Sequence, residues 1–203
     1  MRGRAEEEES DGAWETAGTR GLRHSARRMG EYHAKASGAD LEDNGRRSAA
    51  WYRQAANKGC GVSAGRLGAL LARGAPGVER DPGGAFAWTS VGAQRGDADS
   101  MFHLGNAYRL GSTDWGVTSG PDKREARRWF LAAAEAGHAS ACVSLAKGLL
   151  ESQGGGDVGS LGHAIELLER AATQGSQPAA EMLERHGDAV ARVRRMQQRI
   201  QSN

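Results

Sequence analysis

A nine-residue pattern that recurs along the chain constrains its fold more than any other feature. The pattern starts with tryptophan and ends with glycine, and it occurs at residues 51–59, 88–96 and 129–137. A fourth copy, at residues 167–175, has leucine in place of the tryptophan. A small residue lies three positions before each large anchor residue and another lies four positions after it, an alternation that suits closely packed helices. These small residues are Ser48, Ala85, Ala126 and Ala164 before the anchor, and Ala55, Gly92, Ala133 and Ala171 after it.

Apolar residues also follow each glycine at fixed distances. Positions 5, 8 and 12 after the glycine carry apolar or aromatic side chains, and this spacing is typical of one face of an amphipathic helix. The glycine therefore separates two helices, here called helix A before it and helix B after it, and each copy predicts one αα-hairpin. The residues concerned are Ala64, Met101, Cys142 and Ala180 at position 5, Leu67, Leu104, Leu145 and Leu183 at position 8, and Leu71, Tyr108 and Leu149 at position 12.

A degenerate copy precedes these four. Gly21 is followed at positions 5, 8 and 12 by Ala26, Met29 and His33, so the same frame predicts a turn at Gly21. The five anchor glycines are then separated by 38, 37, 41 and 38 residues. Self-similarity at a fixed period of this length is the signature of a solenoid, in which each hairpin buries its apolar face against its neighbours.

The loops between hairpins repeat as well. Asp81 and Asp122 each lie four residues before the small residue that opens the pattern, and Asn44 holds the same place in the first copy. A carboxylate or amide there is placed to accept hydrogen bonds from the free amides at the start of helix A. We therefore predict that these three residues cap the A helices.

The repeated motifs are A-x-x-W-Y-x-x-A-A-x-x-G, A-x-x-L-G-x-x-L/Y-x-x-G and G-V-x-x-D, and together they resemble the Sel-1-like repeat, a longer relative of the tetratricopeptide repeat. The resemblance covers residues 21–187. It implies an all-α fold, a right-handed α-α superhelix in which helix A lines a concave groove. It also implies a scaffold or adaptor that binds other proteins. A more specific alternative from the same family is a component of an endoplasmic-reticulum ubiquitin-ligase complex for protein quality control.

Candidate residues for the binding groove are those of helix A that the packing pattern leaves free. They lie two and six positions after the anchor, on the side of the helix away from the small residues. These residues are Arg53, Asn57, Ser90, Gln94, Leu131 and Glu135.

The repeat frame divides the chain into three predicted parts. Residues 1–20 form an acidic, partly disordered N-terminal segment with a degenerate helix, in which Glu6 to Ser10 is a solvated run. Residues 21–187 form the solenoid of about four hairpins. Residues 188–203 form a basic amphipathic helix that caps the array, because a terminal repeat needs one polar face.

Charge and cysteine content narrow the choice of partner and compartment. The 27 basic and 25 acidic residues give a net charge of +2, with no large basic field, so we expect protein partners and no nucleic acid. Cys60 and Cys142 are isolated, which fits a reducing compartment and two free thiols. No signal peptide or membrane span is visible, so we expect a cytoplasmic protein. An endoplasmic-reticulum location is the alternative if the chain has lost a leader.

The motifs associated with catalysis are incomplete. The G-x-G-x-x-G match at residues 154–159 follows a helix and not a strand, so we interpret it as a loop between repeats. The S-x-x-K match of Ser144 and Lys147 lacks the companion motifs of penicillin-recognising serine enzymes. The six histidines have no metal-ligand spacing, and we expect them at the surface or in the groove. We predict no enzyme activity and no cofactor, with a β-lactam-recognising serine enzyme as the remote alternative.

The tryptophans give a further expectation. Trp51, Trp88 and Trp129 recur at the anchor, so their rings should pack between hairpins. Trp115 lies in a longer loop outside the frame, and we expect it to contribute little to the core.

Overall fold

The computed structural model describes residues 19–35, 41–150, 158–173 and 175–201. The acidic run of residues 6–10 and most of the glycine-rich match at residues 154–159 lie outside these ranges. The described residues form α-helices joined by short loops, and no strand occurs among them. The helices are α1 (Thr19–Lys35), α2 (Leu41–Asn57), α3 (Gly61–Arg73), α4 (Pro82–Gln94), α5 (Ala98–Leu110), α6 (Lys123–Glu135), α7 (Ala139–Leu150), α8 (Val158–Thr173), α9 (Gln177–Arg185) and α10 (Gly187–Gln201), with a 3-10 turn at Thr113–Trp115.

The chain divides into two compact units, Met1–Asp122 (unit 1) and Lys123–Asn203 (unit 2). In unit 1, α2 and α4 are A helices, while α1, α3 and α5 are B helices. The most extensive helix packing in this unit joins α3 to α4 and α1 to α2. In unit 2, α6 and α8 are A helices, α7 and α9 are B helices, and α10 follows them.

Each A helix ends at its predicted turn glycine. The backbone of Gly96 has φ of 86° and that of Gly137 has φ of 91°, a left-handed conformation that side chains disfavour. The next residue donates its amide to the carbonyl five residues back, as in the bond of 3.0 Å from Asp97 to Gly92 and that of 2.9 Å from His138 to Ala133. This is a Schellman motif, which satisfies the last carbonyls of helix A and reverses the chain into helix B.

Small residues bring the helices of unit 1 close together. A Cβ added to Gly92 would lie 3.0 Å from the carbonyl oxygen of Gly61, so α4 and the start of α3 approach at backbone distance. The fourth position after each turn glycine is the most deeply buried, a position that sequence reasoning missed because it assigned the stripe to position 5. Its residues are Ser63, Ser100, Ala141 and Ala179, all with no exposed surface.

Because burial is centred on position 4, the residues at position 5 differ in how exposed they are. Ala64 and Cys142 are buried, whereas Met101 is half-buried and Ala180 is exposed. A helix buries an arc and not a line, so positions 4 and 5 share the contact in some hairpins and only position 4 makes it in the last.

The main hydrophobic cluster of unit 1 joins α2, α3 and α4. Its buried members are Tyr52, Leu67, Leu71, Ala72 and Ala85, and Ala49, Val78, Trp88 and Trp115 pack against it. Burial raises the pKa of the Tyr52 hydroxyl, and the Glu31 carboxylate adds to the rise. Trp88 packs between hairpins as predicted, although its ring is half-buried.

The expectation for Trp115 was wrong. This residue is half-buried, packs against the same cluster as Trp88, and stacks on His103 with ring centroids 4.9 Å apart and planes 17° apart. The longer loop folds back onto the core through Trp115, and an exposed ion pair of 2.6 Å joins its Asp114 to Arg80, whose Nε also donates to the carbonyl of Ala72. The extra loop residues thus extend the core.

The structure confirms the predicted cap at Asp81 and corrects the predictions for Asn44 and Gly21. Asp81 caps α4 by accepting a hydrogen bond of 2.9 Å from the amide of Gly84. Asn44 is not a cap, because α2 begins at Leu41 and the Asn44 amide oxygen instead accepts a bond of 3.1 Å from His33. His33 is therefore buried against α2 and not at the surface or in a groove. Gly21 is not a turn, because α1 runs through it from Thr19.

The cap at Asp122 stays a prediction, and the loop before α6 repeats the backbone geometry of the loop before α4. The backbone amide of Asp81 donates to the carbonyl of Leu71, and that of Asp122 donates to the carbonyl of Tyr108, at 2.9 and 2.8 Å. Leu71 and Tyr108 hold position 12 of their B helices. The aspartate thus fixes the loop to the end of helix B in both hairpins.

In unit 2 the last helices form their own small cluster. Ile165 of α8 and Val190 of α10 are buried together, with Leu161 and Leu183 packed around them. The helix that follows the last hairpin therefore contributes an apolar residue to the array, while Arg194 and Arg195 on it are exposed. The division of the chain at residues 20 and 187 stays a prediction.

We predict that Trp88→Ala and Trp115→Ala both destabilise unit 1. Each ring is half-buried, so each loss should be about half of the 3 to 5 kcal/mol typical of a fully buried aromatic residue, roughly 2 kcal/mol. Leu110→Ala, at a residue that is 59% exposed, is the control and should cost under about 0.5 kcal/mol. Thermal melting followed by circular dichroism measures all three, and an unchanged melting temperature for Trp115→Ala would contradict the packing of the loop.

We also predict opposite effects from two glycine substitutions in unit 2. A Cβ at Gly137 or Gly148 meets no atom within 4 Å, but only Gly137 has a positive φ. Gly137→Ala should therefore destabilise by about 1 to 2 kcal/mol through backbone strain alone. Gly148→Ala, within α7, should stabilise by about 0.5 to 1 kcal/mol through helix propensity. An unchanged or raised melting temperature for Gly137→Ala would show that the turn does not need glycine.

Candidate functional site

The six predicted groove residues all lie on A helices and reach solvent. Arg53, Asn57, Gln94 and Glu135 are exposed, while Ser90 and Leu131 are half-buried. They face outward because the neighbouring positions are the ones that face the core. In α2, for example, Tyr52, Ala55 and Ala56 are buried at 4%, 0% and 0% exposure. We call the outward side of the A helices of one unit its A face.

In unit 1 the A face joins two helices, α2 and α4. A guanidinium nitrogen of Arg95, the residue after α4, donates to the carbonyl oxygen of Ala56 over 2.5 Å, so this long side chain links the C-terminal ends of the two helices. Asn57 directly follows Ala56, and Gln94 directly precedes Arg95. The contact therefore joins the ends of two successive A helices that each carry an amide side chain at the same repeat position.

In unit 2 a different arginine makes the equivalent contact. Arg170 of α8 donates to the carbonyl oxygens of Ala134 and Glu135 at the end of α6, over 2.8 and 3.4 Å. Ala134 and Ala56 hold the same position in the repeat, but Arg170 lies three residues after its anchor and Arg95 lies seven after. The carbonyl groups at a helix C-terminus attract cations, which explains why an arginine is used in both units.

Charge distinguishes the two A faces. In unit 1, α4 contains no charged residue, and the acidic residues of α2 are Glu42 and Asp43 in its first turn. Each of these pairs with an arginine one turn along, Glu42 with Arg46 at 3.3 Å and Asp43 with Arg47 at 2.9 Å. The end of the face near Asn57 therefore presents cations and amides without a neighbouring carboxylate on these two helices.

In unit 2 the corresponding region is acidic. His163 of α8 lies between two carboxylates, with Nε2 3.8 Å from Glu135 and Nδ1 3.9 Å from Glu166. All three side chains are about half exposed or more, so each interaction is weak and screened by solvent. Positions 2 and 6 after the anchor thus carry Leu131 and Glu135 in α6. In unit 1 the same positions carry arginine or serine and an amide residue.

Sequence reasoning missed Arg95, Arg170 and His163. The two arginines stand at different repeat positions, so aligning the copies cannot reveal that they serve the same carbonyl. His163 precedes its anchor by four residues, outside the two positions used to choose groove residues. Only the packing of one hairpin on the next shows these contacts.

The opposite surface of unit 1 holds a shallow polar niche between the B helices α3 and α5. Arg66 and Asp99 face each other across it at 3.9 Å, and His103 lies at its edge. The Asp97 carboxylate at its base is held by the amide and hydroxyl of Ser100. The hydrogen-bonding capacity of that carboxylate is thus used mainly to start α5.

Ser144 and Lys147, the only residues nominated for catalysis, lie on the same helix, α7. The hydroxyl of Ser144 donates to the carbonyl oxygen of Ser140 over 2.9 Å, an ordinary bond for a serine inside a helix. Among the described residues, no three histidine, cysteine or carboxylate side chains gather as a metal site. No helix in the described ranges has the length and apolar character needed to cross a bilayer.

Comparison with known proteins gives a consistent result. The family profile described as Sel1 repeat matches residues 23–60, 62–97, 98–138 and 139–176. No curated protein sequence shows significant similarity to the chain. Each matched copy contains a B helix followed by an A helix, because the family places its boundary after the turn and not before helix A.

Two solved structures share the fold. A Sel1 repeat protein from Oxalobacter formigenes aligns with a TM-score of 0.60 and 20% identity, over 82% of this chain and 63% of that one. A protective antigen of uropathogenic Escherichia coli with an SLR fold aligns with a TM-score of 0.55 and 20% identity, over 77% of this chain and 39% of that one. The chain therefore spans less than two thirds of either protein. The predicted all-α Sel1-like solenoid fold is confirmed.

We predict that the two cysteines, both free thiols, react at different rates. Burial raises the pKa of the Cys142 thiol, although the Arg170 guanidinium acts in the opposite direction. A raised pKa lowers the thiolate fraction at neutral pH, so Cys142 should react at least about tenfold more slowly than the half-buried Cys60. Alkylation by iodoacetamide in the Cys60→Ser and Cys142→Ala variants isolates each thiol. Equal rates at pH 7.5, with both variants folded, would contradict this difference.

Proposed function

Because the chain belongs to the Sel1 repeat family, whose members are generally protein-interaction scaffolds, we propose that it binds a segment of a partner protein along its A faces. The observation that supports this most is the exposure of the polar residues at positions 2 and 6 of successive A helices. The buried positions around them are filled by other residues, such as Tyr52 and Ala55 in α2 and Phe130 and Ala133 in α6, which hold the hairpins together.

The physics of stacked hairpins supports the same function. Each hairpin buries its small residues against the next, and the outward residues of neighbouring A helices then form a continuous row within a unit. In unit 1 the Arg95 contact to Ala56 joins the ends of two such rows. A row of exposed polar groups on a rigid helical support suits recognition of an extended peptide.

We further propose that the chain has no enzyme activity. The family consists generally of non-enzymatic scaffolds, and the hydroxyl of Ser144 already donates to the backbone of its own helix.

Panning a random peptide library against the purified chain tests this function. Peptides recovered on the wild type should bind the double variant Asn57→Ala, Gln94→Ala about five- to tenfold more weakly, the loss expected from one or two hydrogen bonds. The matched control is Arg73→Ala, Arg109→Ala, which changes exposed residues of two B helices. Recovery of no binding peptide, or a loss confined to the control, would contradict binding at the A face.

A further inference from the structure

The A face of unit 1 carries unpaired positive charge. Arg53 is exposed, and its guanidinium has no hydrogen-bond or ion-pair partner among the described residues. Arg46 and Arg47 of the same helix, by contrast, are paired with Glu42 and Asp43. At 1.5 Å per residue, Arg53 lies about 15 Å along the helix from Asp43, beyond the reach of that carboxylate.

Nearby elements do not neutralise this charge. Lys58 is exposed at the turn five residues beyond Arg53, and α4 has no charged residue. The acidic group that lies close to the turn is Asp97, whose carboxylate faces Gly65 of α3 and accepts two hydrogen bonds from Ser100. Asp97 therefore serves the B-helix side. Glu31 of α1, which lies near Tyr52, pairs with Arg27 at 3.8 Å, so α2 and α4 present no carboxylate beside Arg53.

Amide groups accompany these cations. Asn57 lies four residues after Arg53 and thus on the same side of α2, while Gln94 lies at the neighbouring end of α4. Each carboxamide can donate to a peptide carbonyl and accept from a peptide amide. A free guanidinium is suited to binding a carboxylate through two parallel hydrogen bonds.

We propose that the A face of unit 1, formed by Arg53, Asn57, Ser90 and Gln94, selects an extended peptide with acidic side chains. This inference rests on the proposed function and adds the chemistry of the partner. The amides bind the peptide backbone, and Arg53, supported by Lys58, binds a glutamate or aspartate. The A face of unit 2 differs at the corresponding end, because Glu135 and Glu166 flank His163 there.

Fluorescence anisotropy with three labelled nonapeptides tests the charge preference. The probes alternate serine with glutamate, with glutamine or with lysine, so that length and backbone are constant. The full chain should bind the glutamate probe at least about fivefold more tightly than the glutamine probe, since exposed ion pairs contribute modestly. Binding to the lysine probe should be weaker still, and added salt should reduce the difference between the glutamate and glutamine probes.

Charge-reversal variants locate the site. Arg53→Glu should abolish the preference for the glutamate probe, whereas Arg73→Glu, the same change on the exposed side of α3, should preserve it. Circular dichroism confirms that both variants fold. Equal loss in the two variants would show that binding follows net charge. An unlabelled single-stranded oligonucleotide of equal charge is the competitor. If it displaces the glutamate probe at a lower concentration than the unlabelled glutamate peptide does, the site binds nucleic acid. Either result would overturn the proposal.

The outcome also separates this inference from the function on which it rests. If library peptides bind at the A face but the glutamate probe binds no better than the glutamine probe, the scaffold function holds and the acidic preference is wrong. If neither library peptides nor any of the three probes bind the folded chain, both proposals are wrong.

Discussion

Each hairpin of this protein depends on one backbone conformation, the left-handed glycine that ends its A helix. A Schellman motif at that glycine satisfies the last carbonyl groups and turns the chain through a fixed angle. Helix B therefore begins at the same rotation about its axis in each hairpin, so that equivalent residues face the same way. This is why position 4 after the glycine is fully buried in all four hairpins, whatever their loop lengths.

Close approach of the helices follows from this constant orientation of helix B. Serine and alanine at position 4 and glycine or alanine in helix A leave room for backbones to meet, as at Gly92 and Gly61. The large side chains then fill the space between hairpins, and Tyr52, Leu67 and Leu71 form the centre of unit 1. Because small residues satisfy the packing of helix A, its outward positions are left to vary, and they differ in charge between the two units.

The arginine contacts show how packing and binding are linked. A carbonyl at the end of one A helix accepts from an arginine of the next A helix in both units, at Ala56 and at Ala134. The contact neutralises the negative end of a helix dipole and also sets the spacing of the exposed residues beside it. The geometry of the A face is thus a consequence of how the hairpins stack, and not of the groove residues themselves.

The sequence by itself determined the hairpins, their turns and the outward direction of Arg53, Asn57 and Gln94, because helical period and positive-φ glycine are local properties. It placed the cap at Asp81 correctly for the same reason. The tertiary structure alone decided what non-local contacts control: Trp115 folds back onto the core and stacks on His103, Asn44 meets His33 of the preceding helix, and α1 continues through Gly21. It also decided that Arg53 is unpaired while Glu135 lies beside His163, since the charge of a face depends on which side chains stacking brings within a few ångströms of one another.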